Sequence, residues 1–271
     1  MTEQVTLPED KDYIDFVHNI ERSTGINLAE YKEAQMKRRL TTLRMKKGFD
    51  SFAVFYEAMM KDKALFHEFL DRMTINVSEF WRNPNRWEVL QDKILPALTS
   101  RNSGQLKVWS AACSTGEEPY TLAMILAEKG LLARTSILAT DIDDGALNKA
   151  KEGMYLERSL KDVPPAVASR YFTEEGHLYR FSDSLKKEVN FQKQNLLTDR
   201  FDSGFDLIVC RNVMIYFTEE AKHKLYTKFA ASLKPGGFLF VGSTEQIFNS
   251  IQYGLESSET FFYQKTIDAA S

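Results

Sequence analysis

The chain has 271 residues, of which 43% are hydrophobic and 27% charged, with a formal net charge of −3. These values describe a globular protein that can bury a large core, and the net charge excludes a general attraction to nucleic acid. Since no stretch approaches the roughly 18 apolar residues of a membrane helix, and the N-terminus is acidic where a signal peptide is basic, we expect a cytoplasmic protein.

Residues 1–75 predict a small all-helical domain, because no strand pattern interrupts them. Apolar residues recur at helical spacing, and glycines or capping residues separate the periodic segments. Four helices are expected: one ending near Gly25, one from about Asn27 to Lys47, one capped by Asp50 or Ser51, and one through Leu65 to Met73.

The second of these helices concentrates positive charge. Between residues 31 and 47 there are seven basic residues and one acid, Glu33, while Met36, Leu40 and Leu43 form a buried stripe. Two interpretations stay open, a solvated helix face and a docking surface for an acidic partner. The candidate docking residues are Lys37, Arg38, Arg39, Arg44 and Lys46.

Residues 76–98 predict a linker followed by a helix. Asn83 is a natural N-cap, with Pro84 at the first helical position. Aromatic residues mix with polar ones just before it, which fits either a packed interdomain linker or a lid over a site. In the second case Arg82 presents a fixed cation to an anionic group.

From residue 99 strands and helices alternate, which predicts a mostly parallel sheet covered by helices. A strand from Leu106 to Ser110 is followed by a turn of small residues and by Glu117 and Glu118 at the start of a helix. Only Gly116 is a glycine in this turn, so a dinucleotide fingerprint is absent, and the two acids disfavour a phosphate. A cationic or hydroxyl-bearing ligand is therefore expected beyond the strand ends.

The second strand of this region is predicted from Ser136 to Thr140. Asp141 follows it, where nucleotide-binding folds hold ribose hydroxyls, whereas Asp143 or Asp144 is the better helix cap. Residues 154–192 predict an inserted helix and a small antiparallel ribbon. Further elements are expected at Phe205–Cys210 (strand), Thr218–Leu233 (helix), a turn at Lys234–Gly237, Phe238–Val241 (strand) and a C-terminal hairpin.

Six segments in order resemble the CheR family, the chemotaxis receptor methyltransferases. They are Asn76-x-Ser78-x-Phe80-Trp81-Arg82, Ser110–Tyr120, Thr140–Asp143, Asn195-Leu196, Cys210–Tyr216 and Leu233–Gly237. The resemblance implies transfer of a methyl group from S-adenosylmethionine to glutamate carboxylates of transmembrane chemoreceptors, with S-adenosylhomocysteine as the product. It also implies a Rossmann-like class I methyltransferase domain (99–271) with an inserted β-subdomain (about 154–193), behind the helical domain (1–75) and the linker (76–98).

The resemblance also implies roles for individual residues. Arg82 and Tyr216 match positions proposed to act near the transferred methyl group. The implied cofactor contacts are Asn76, Ser78, Arg82, Glu117, Glu118, Asp141, Asn195, Leu196, Arg211 and Asn212. Ser78 stands where threonine is expected in many members, and the hydroxyl is retained.

The expected partner is the acidic, helical methylation region of the receptors, with no nucleic acid and no membrane insertion. Tethering to a receptor-tail pentapeptide is not expected, because the ribbon loop around Gly176 is short. No metal site is expected, since the four histidines are scattered and the cysteines, Cys113 and Cys210, fall at the ends of predicted core strands, where small buried thiols are expected. A non-catalytic module that binds S-adenosylmethionine or a receptor is the alternative that the sequence leaves open.

Overall fold

The computed structural model describes residues 8–74 and 78–266, with side chains from residue 11 onward. The chain forms two units. The first comprises Met1–Ile75 and Tyr216–Lys222, and the second comprises Asn76–Ile215 and His223–Ser271. Among the described residues, none of the helices combines the length and the apolar character needed to cross a membrane.

The first unit contains the four expected helices, packed around aromatic side chains. Phe16, Phe55 and Phe69 are fully buried, and the ring of Phe16 lies 6.0 Å from Phe55 and 6.1 Å from Phe69. Their spacing along each helix places them on the buried face. The helices are α1 (Pro8–Thr24), α2 (Glu33–Lys46), α3 (Phe52–Lys61) and α4 (Lys63–Thr74).

The start of the basic helix differs from the prediction. The Asn27 side chain accepts a hydrogen bond from the backbone N–H of Ala29 and caps a separate short 3₁₀ helix, Leu28–Glu30. Extended backbone at Tyr31 and Lys32 follows, so α2 begins at Glu33 and not near Asn27. An asparagine that caps one turn stops the backbone from continuing directly into the next helix.

The first unit also includes an antiparallel pairing between two distant stretches of chain. The N–H of Lys32 donates to the Tyr216 carbonyl, and the N–H of Thr218 donates to the Glu30 carbonyl, each at 2.9 Å. Tyr31 and Phe217 form the bridge between these bonds, with ring centroids 5.0 Å apart. Through these backbone bonds the segment Tyr216–Lys222 forms part of the helical unit.

The second unit is built on a seven-stranded sheet of order β6-β2-β1-β7-β8-β10-β9, parallel from β6 to β8 and antiparallel beyond. Its strands are β1 (Leu106–Ala111), β2 (Thr135–Asp141), β6 (Val189–Lys193), β7 (Phe205–Cys210), β8 (Leu233–Val241), β9 (Leu255–Glu259) and β10 (Phe262–Lys265). The order reverses between β1 and β7. A doubly wound sheet binds its ligand at such a point, beyond the carboxyl ends of the strands.

Helices cover this sheet, and a smaller sheet is inserted after α8. The helices are α5 (Pro84–Val89), which continues through a π-helical turn (Leu90–Ile94) into α6 (Leu95–Arg101), then α7 (Glu117–Glu128), α8 (Asp144–Glu152), α9 (Pro165–Tyr171), α10 (Asp183–Lys186) and α11 (Glu219–Ser232). The small antiparallel sheet has the order β3-β5-β4. Its strands are β3 (Met154–Leu156), β4 (Phe172–Glu175) and β5 (Leu178–Phe181).

Two details of the second unit differ from the sequence-based expectation. Val189–Lys193, placed in the expected insertion, is β6 of the large sheet and runs parallel to β2. The expected turn at Lys234–Gly237 lies inside β8, because Leu233 pairs with Phe205 and the register then shifts, so that Phe238 pairs with Leu207.

Candidate active site

The loop between β1 and α7 holds an unusual backbone beyond the end of β1. Ala112, Ser114 and Gly116 have φ values of 58°, 50° and 95°, in the left-handed region that is costly for residues with a side chain. At Gly116 a Cβ atom would lie 2.8 Å from the Cβ of Ala150, so that position requires glycine. The strain at Ser114 is maintained by Asp141, whose Oδ2 accepts its N–H at 2.8 Å. The loop is therefore fixed, and its half-buried residues Ala112, Ser114 and Thr115 present only small side chains beyond the strand end.

Glu118 places a nearly buried carboxylate beside this loop. The Ser110 hydroxyl donates to its Oε1 at 2.8 Å, and Arg211 Nη1 lies 3.9 Å from its Oε2. Burial raises the pKa of Glu118 to about 7, although the Arg211 charge and the Ser110 hydrogen bond both act to lower it. A further cation near this carboxylate would favour its ionised form, so the site suits a positively charged ligand group.

Asp141 ends β2 and faces the same loop. Besides the Ser114 bond, its Oδ1 accepts the N–H of Asp143 at 3.0 Å, and burial raises its pKa to about 6. Asp143 is the N-cap of α8, accepting from the N–H groups of Gly145 and Ala146. Asp143 is thus the N-cap of α8, whereas the Asp141 carboxylate binds the backbone of the loop after β1. The carboxylate oxygens of Asp141 retain lone pairs for ligand hydroxyls.

Glu117 connects the loop to the residues before α5. It is 4% exposed, accepts a hydrogen bond from the Thr115 hydroxyl at 2.7 Å and also accepts one from Ser78. Burial raises its pKa. Ser78 and Glu117, both predicted as cofactor contacts, therefore touch each other. Asn76, predicted with them, lies outside the described residues.

Arg211 holds the turn that precedes α5. Its Nη2 donates to the Arg82 carbonyl and to Asn83 Oδ1, each at 2.9 Å, and its guanidinium packs over Trp87 and Phe240, 5.1 and 4.7 Å from the ring centroids. Burial lowers its pKa. Asn83 occupies the N-cap position with a φ of 62°, but its side chain does not cap α5, because its oxygen accepts from Arg211. The predicted position of Asn83 as the N-cap residue before Pro84 is confirmed, but the side-chain capping bond does not form.

Arg82 itself is half-buried in this turn. Its positive charge acts on Glu118, lowering the pKa of that carboxyl, and on Arg211. The backbone of Arg82 is fixed from two sides, since the indole N–H of Trp87 also donates to its carbonyl at 3.0 Å. The side chain that the family resemblance marks as catalytic thus extends from an anchored turn.

Glu245 is a site residue that the sequence reasoning missed. It is 4% exposed and accepts the N–H groups of Asn212 and Gly242 at 2.7 Å and of Ile215 at 3.4 Å. Burial raises its pKa. It therefore organises the loop after β7, in which Asn212 has a φ of 61°. An acid soon after a buried strand was the available signal, the same one that identified Asp141.

Asn195 and Leu196 lie in the loop after β6. The N–H of Gln194, just before them, donates to the Asp141 carbonyl at 2.9 Å, which brings this loop to the end of β2. Asn195 Oδ1 accepts the N–H of Leu197 and shapes the turn. Lys228 Nζ donates to the Leu196 carbonyl at 2.6 Å and fixes the loop from α11.

Nine of the predicted cofactor contacts therefore lie in the second unit, around the carboxyl ends of its parallel strands, and Tyr216 belongs to the first unit. There its ring lies under the guanidinium of Arg39, 4.9 Å from the centroid. The nine are Ser78, Arg82, Glu117, Glu118, Asp141, Asn195, Leu196, Arg211 and Asn212.

The five candidate docking residues on α2 are not equivalent. Arg38 and Lys46 are exposed. Arg44 donates to the Phe49 carbonyl at 2.8 Å and packs on Phe52, and Lys37 lies over the ring of Tyr13. With Arg39, which contacts Tyr216 and the Met73 carbonyl, three of the five side chains are thus engaged within the helical unit.

Comparison with family models identifies both parts of the chain. Residues 11–74 match the model described as CheR methyltransferase, all-alpha domain. Residues 76–262 match the model described as CheR methyltransferase, SAM binding domain.

Individual proteins are similar over nearly the whole chain. A protein of Listeria monocytogenes named chemotaxis protein methyltransferase is 46% identical over 95% of this chain and 98% of its own length. One of Borreliella burgdorferi with the same name is 36% identical over 90% of this chain and 89% of its own.

Among solved structures, an amino pentose methyltransferase from Micromonospora echinaspora with SAM bound gives a TM-score of 0.33 at 14% identity over 57% of this chain and 50% of that chain. A score this low supports no inference.

Proposed function

Because the chain belongs to the CheR methyltransferase family, we propose that it transfers methyl groups from S-adenosylmethionine to glutamate side chains of chemotaxis receptors, forming glutamate methyl esters. The observation that carries the proposal is the match of residues 76–262 to the SAM-binding domain of that family. The 46% identity to a chemotaxis protein methyltransferase supports the receptor as substrate.

The donor set at the carboxyl ends of the strands fits this cofactor. Glu118, buried and with its pKa raised to about 7, suits the ammonium group of the methionine part. Asp141, at the end of β2, suits the ribose hydroxyls. We assign the adenine to the loop of Asn195 and Leu196, and further contacts to Asn76, Ser78, Glu117 and Asn212. Arg211 acts through the turn that it holds.

When bound, S-adenosylmethionine supplies a methyl group on a sulfonium, which an oxygen nucleophile can accept in an in-line displacement. A glutamate carboxylate is already ionised at neutral pH, so the protein needs no general base. Its task is to align the carboxylate and exclude water. Well-aligned reactants lower a barrier by roughly 7–11 kcal/mol.

Arg82 is the residue to which we assign the orientation of the acceptor carboxylate, and Tyr216 the one that contacts the methyl region. Arg211 fixes the Arg82 backbone. Arg82→Ala should lower turnover by about a hundredfold while some cofactor affinity remains, since misplaced reactants cost on that order. Arg101→Ala, which removes an exposed arginine at the end of α6, is the charge-matched control. Full activity of Arg82→Ala would remove this role from Arg82.

The receptor contact is proposed for the basic face of α2. Receptor methylation regions are acidic and helical, so an exposed positive surface would steer their association. Arg38 and Lys46 are exposed and contribute most to this surface. Lys37 and Arg44 flank it with their charges, whereas the Arg39 side chain is engaged by the Tyr216 ring and the Met73 carbonyl.

The experiment that tests the function uses methyl-labelled S-adenosylmethionine and membranes bearing chemoreceptors. After incubation with the protein, we expect label in the receptor that alkali releases as methanol, because methyl esters hydrolyse in base and methylamines do not. Alkali-stable label would indicate methylation of nitrogen instead. No transfer, with cofactor binding retained, would indicate a binding module, and Arg82→Ala provides the background measurement.

A further inference from the structure

The backbone of Tyr216 is held within the helical unit. Its carbonyl accepts the N–H of Lys32, and the next residue, Phe217, forms the antiparallel bridge with Tyr31. Backbone pairing fixes the position of the Tyr216 main chain, but it does not fix the χ1 rotamer of the side chain. The orientation of the ring has to come from a side chain.

Arg39 provides that contact. Its guanidinium lies 4.9 Å from the centroid of the Tyr216 ring, within the range of a cation–π interaction. Its Nη1 also donates to the Met73 carbonyl at 3.4 Å, so the end of α4 holds the cation in place. Arg39 is half-buried, unlike its neighbour Arg38. The side chain is thus directed at the tyrosine and the end of α4.

We propose that Arg39 is a positioning residue for Tyr216, and that its main contribution to catalysis is to hold the tyrosine ring in its reactive orientation. This inference rests on the proposed role of Tyr216 in methyl transfer. It separates Arg39 from the receptor-docking residues of the same helix. Docking residues act on the affinity for receptor, whereas a positioning residue acts on turnover after the receptor has bound.

The test compares arginine variants at saturating receptor and cofactor. Arg39→Ala should lower kcat by about two- to fivefold, the range expected from a partly exposed cation–π contact, with the KM for receptor unchanged. Arg39→Lys, which keeps a cation over the ring, should retain most of the turnover. Arg22→Ala removes an exposed arginine from the last turn of α1 and should leave kcat unchanged. If Arg39→Ala is unstable, Arg39→Met keeps the unbranched stem and decides the question.

A double-mutant cycle with Tyr216→Ala identifies the route of the effect. If Arg39 acts through Tyr216, Arg39→Ala should cost nothing further when the tyrosine ring is absent. An equal loss in both backgrounds, or a raised KM with unchanged kcat, would overturn the inference and leave the proposed function intact. Full activity of Tyr216→Ala would instead remove the role of Tyr216 and this inference with it, while methyl transfer itself would still be measured.

Discussion

The affinity for S-adenosylmethionine should depend on pH through Glu118. This carboxylate is assigned to the ammonium group of the cofactor, but burial raises its pKa to about 7 in the cofactor-free protein. Only the ionised form pairs with the ammonium, so lowering the pH should weaken binding. The cofactor sets a second limit, since an α-amino group loses its charge above its ordinary pKa of about 7.7–8.0.

The magnitude follows from the two pKa values. About half of Glu118 is ionised at pH 7 and about a tenth at pH 6, so the apparent Kd should rise about fivefold over that unit. Above pH 8 it should rise again as the ammonium group loses its proton. A bell-shaped affinity profile with its maximum near pH 7.5 is therefore expected, and Glu118→Gln should weaken binding by about ten- to a hundredfold at the maximum, the cost of a charged hydrogen bond.

Titration calorimetry from pH 5.5 to 9 measures this profile, and Glu118→Gln should lose its acid limb. A wild-type Kd that is constant between pH 6 and 7.5, or an acid limb that persists in Glu118→Gln, would refute the assignment.

The pH dependence of the thermal stability gives an independent check. Because the folded pKa lies above the ordinary value of 4.5, the cofactor-free folded protein binds more protons than the unfolded chain. Its Tm should therefore fall as the pH rises towards 7, and less so in Glu118→Gln.

Two further predictions concern the loops around the cofactor site, and a third concerns receptor binding. In Gly242→Ala the new methyl group would overlap the Glu245 carboxylate, so we expect about 1–3 kcal/mol of destabilisation and weaker cofactor binding; an unchanged Tm and Kd would contradict this. Lys228→Met removes two hydrogen bonds to carbonyls of the loop after β6 and should raise the cofactor Kd by about five- to tenfold, which calorimetry would show. Receptor affinity should weaken as salt rises beyond about 0.15 M, and replacing Arg38 and Lys46 together by alanine should remove most of that dependence. Salt-independent binding by the wild type would mean that the basic face of α2 is a solvated surface and not a docking surface.

The strands and the acids at their ends were predictable because their signals are local. Phe205–Cys210 is apolar except for Asp206 and forms β7 as predicted, buried along its length. Asp141 and Glu118 were found from their distance to a strand end. Such patterns depend on a few neighbouring residues and on the period of the element.

What could not be predicted depends on side-chain contacts that the local sequence pattern does not show. Asn83 has the sequence of a cap, but its oxygen is taken by Arg211, 128 positions away. The sequence around Arg44 is typical of a solvated helix face, but its side chain donates to the Phe49 carbonyl and packs on the Phe52 ring. Glu245 had a local signal, yet its backbone partners after β7 are known only once β7 and β8 are paired. For Asn83 and Arg44, contacts in the folded chain override the local preference.

The pairing between Tyr31 and Phe217 limits how the molecule can be divided. The helical unit is built from two separate stretches of the polypeptide, one before residue 76 and one near residue 220. A fragment ending at residue 75 would lose the backbone partners of Glu30 and Lys32 and would expose the ring of Tyr31, which is 8% exposed in the intact chain. We therefore expect that fragment to be less stable than the same residues in the full chain. Supplying residues 216–222 as a peptide, or fusing them behind a flexible linker, should restore the missing edge.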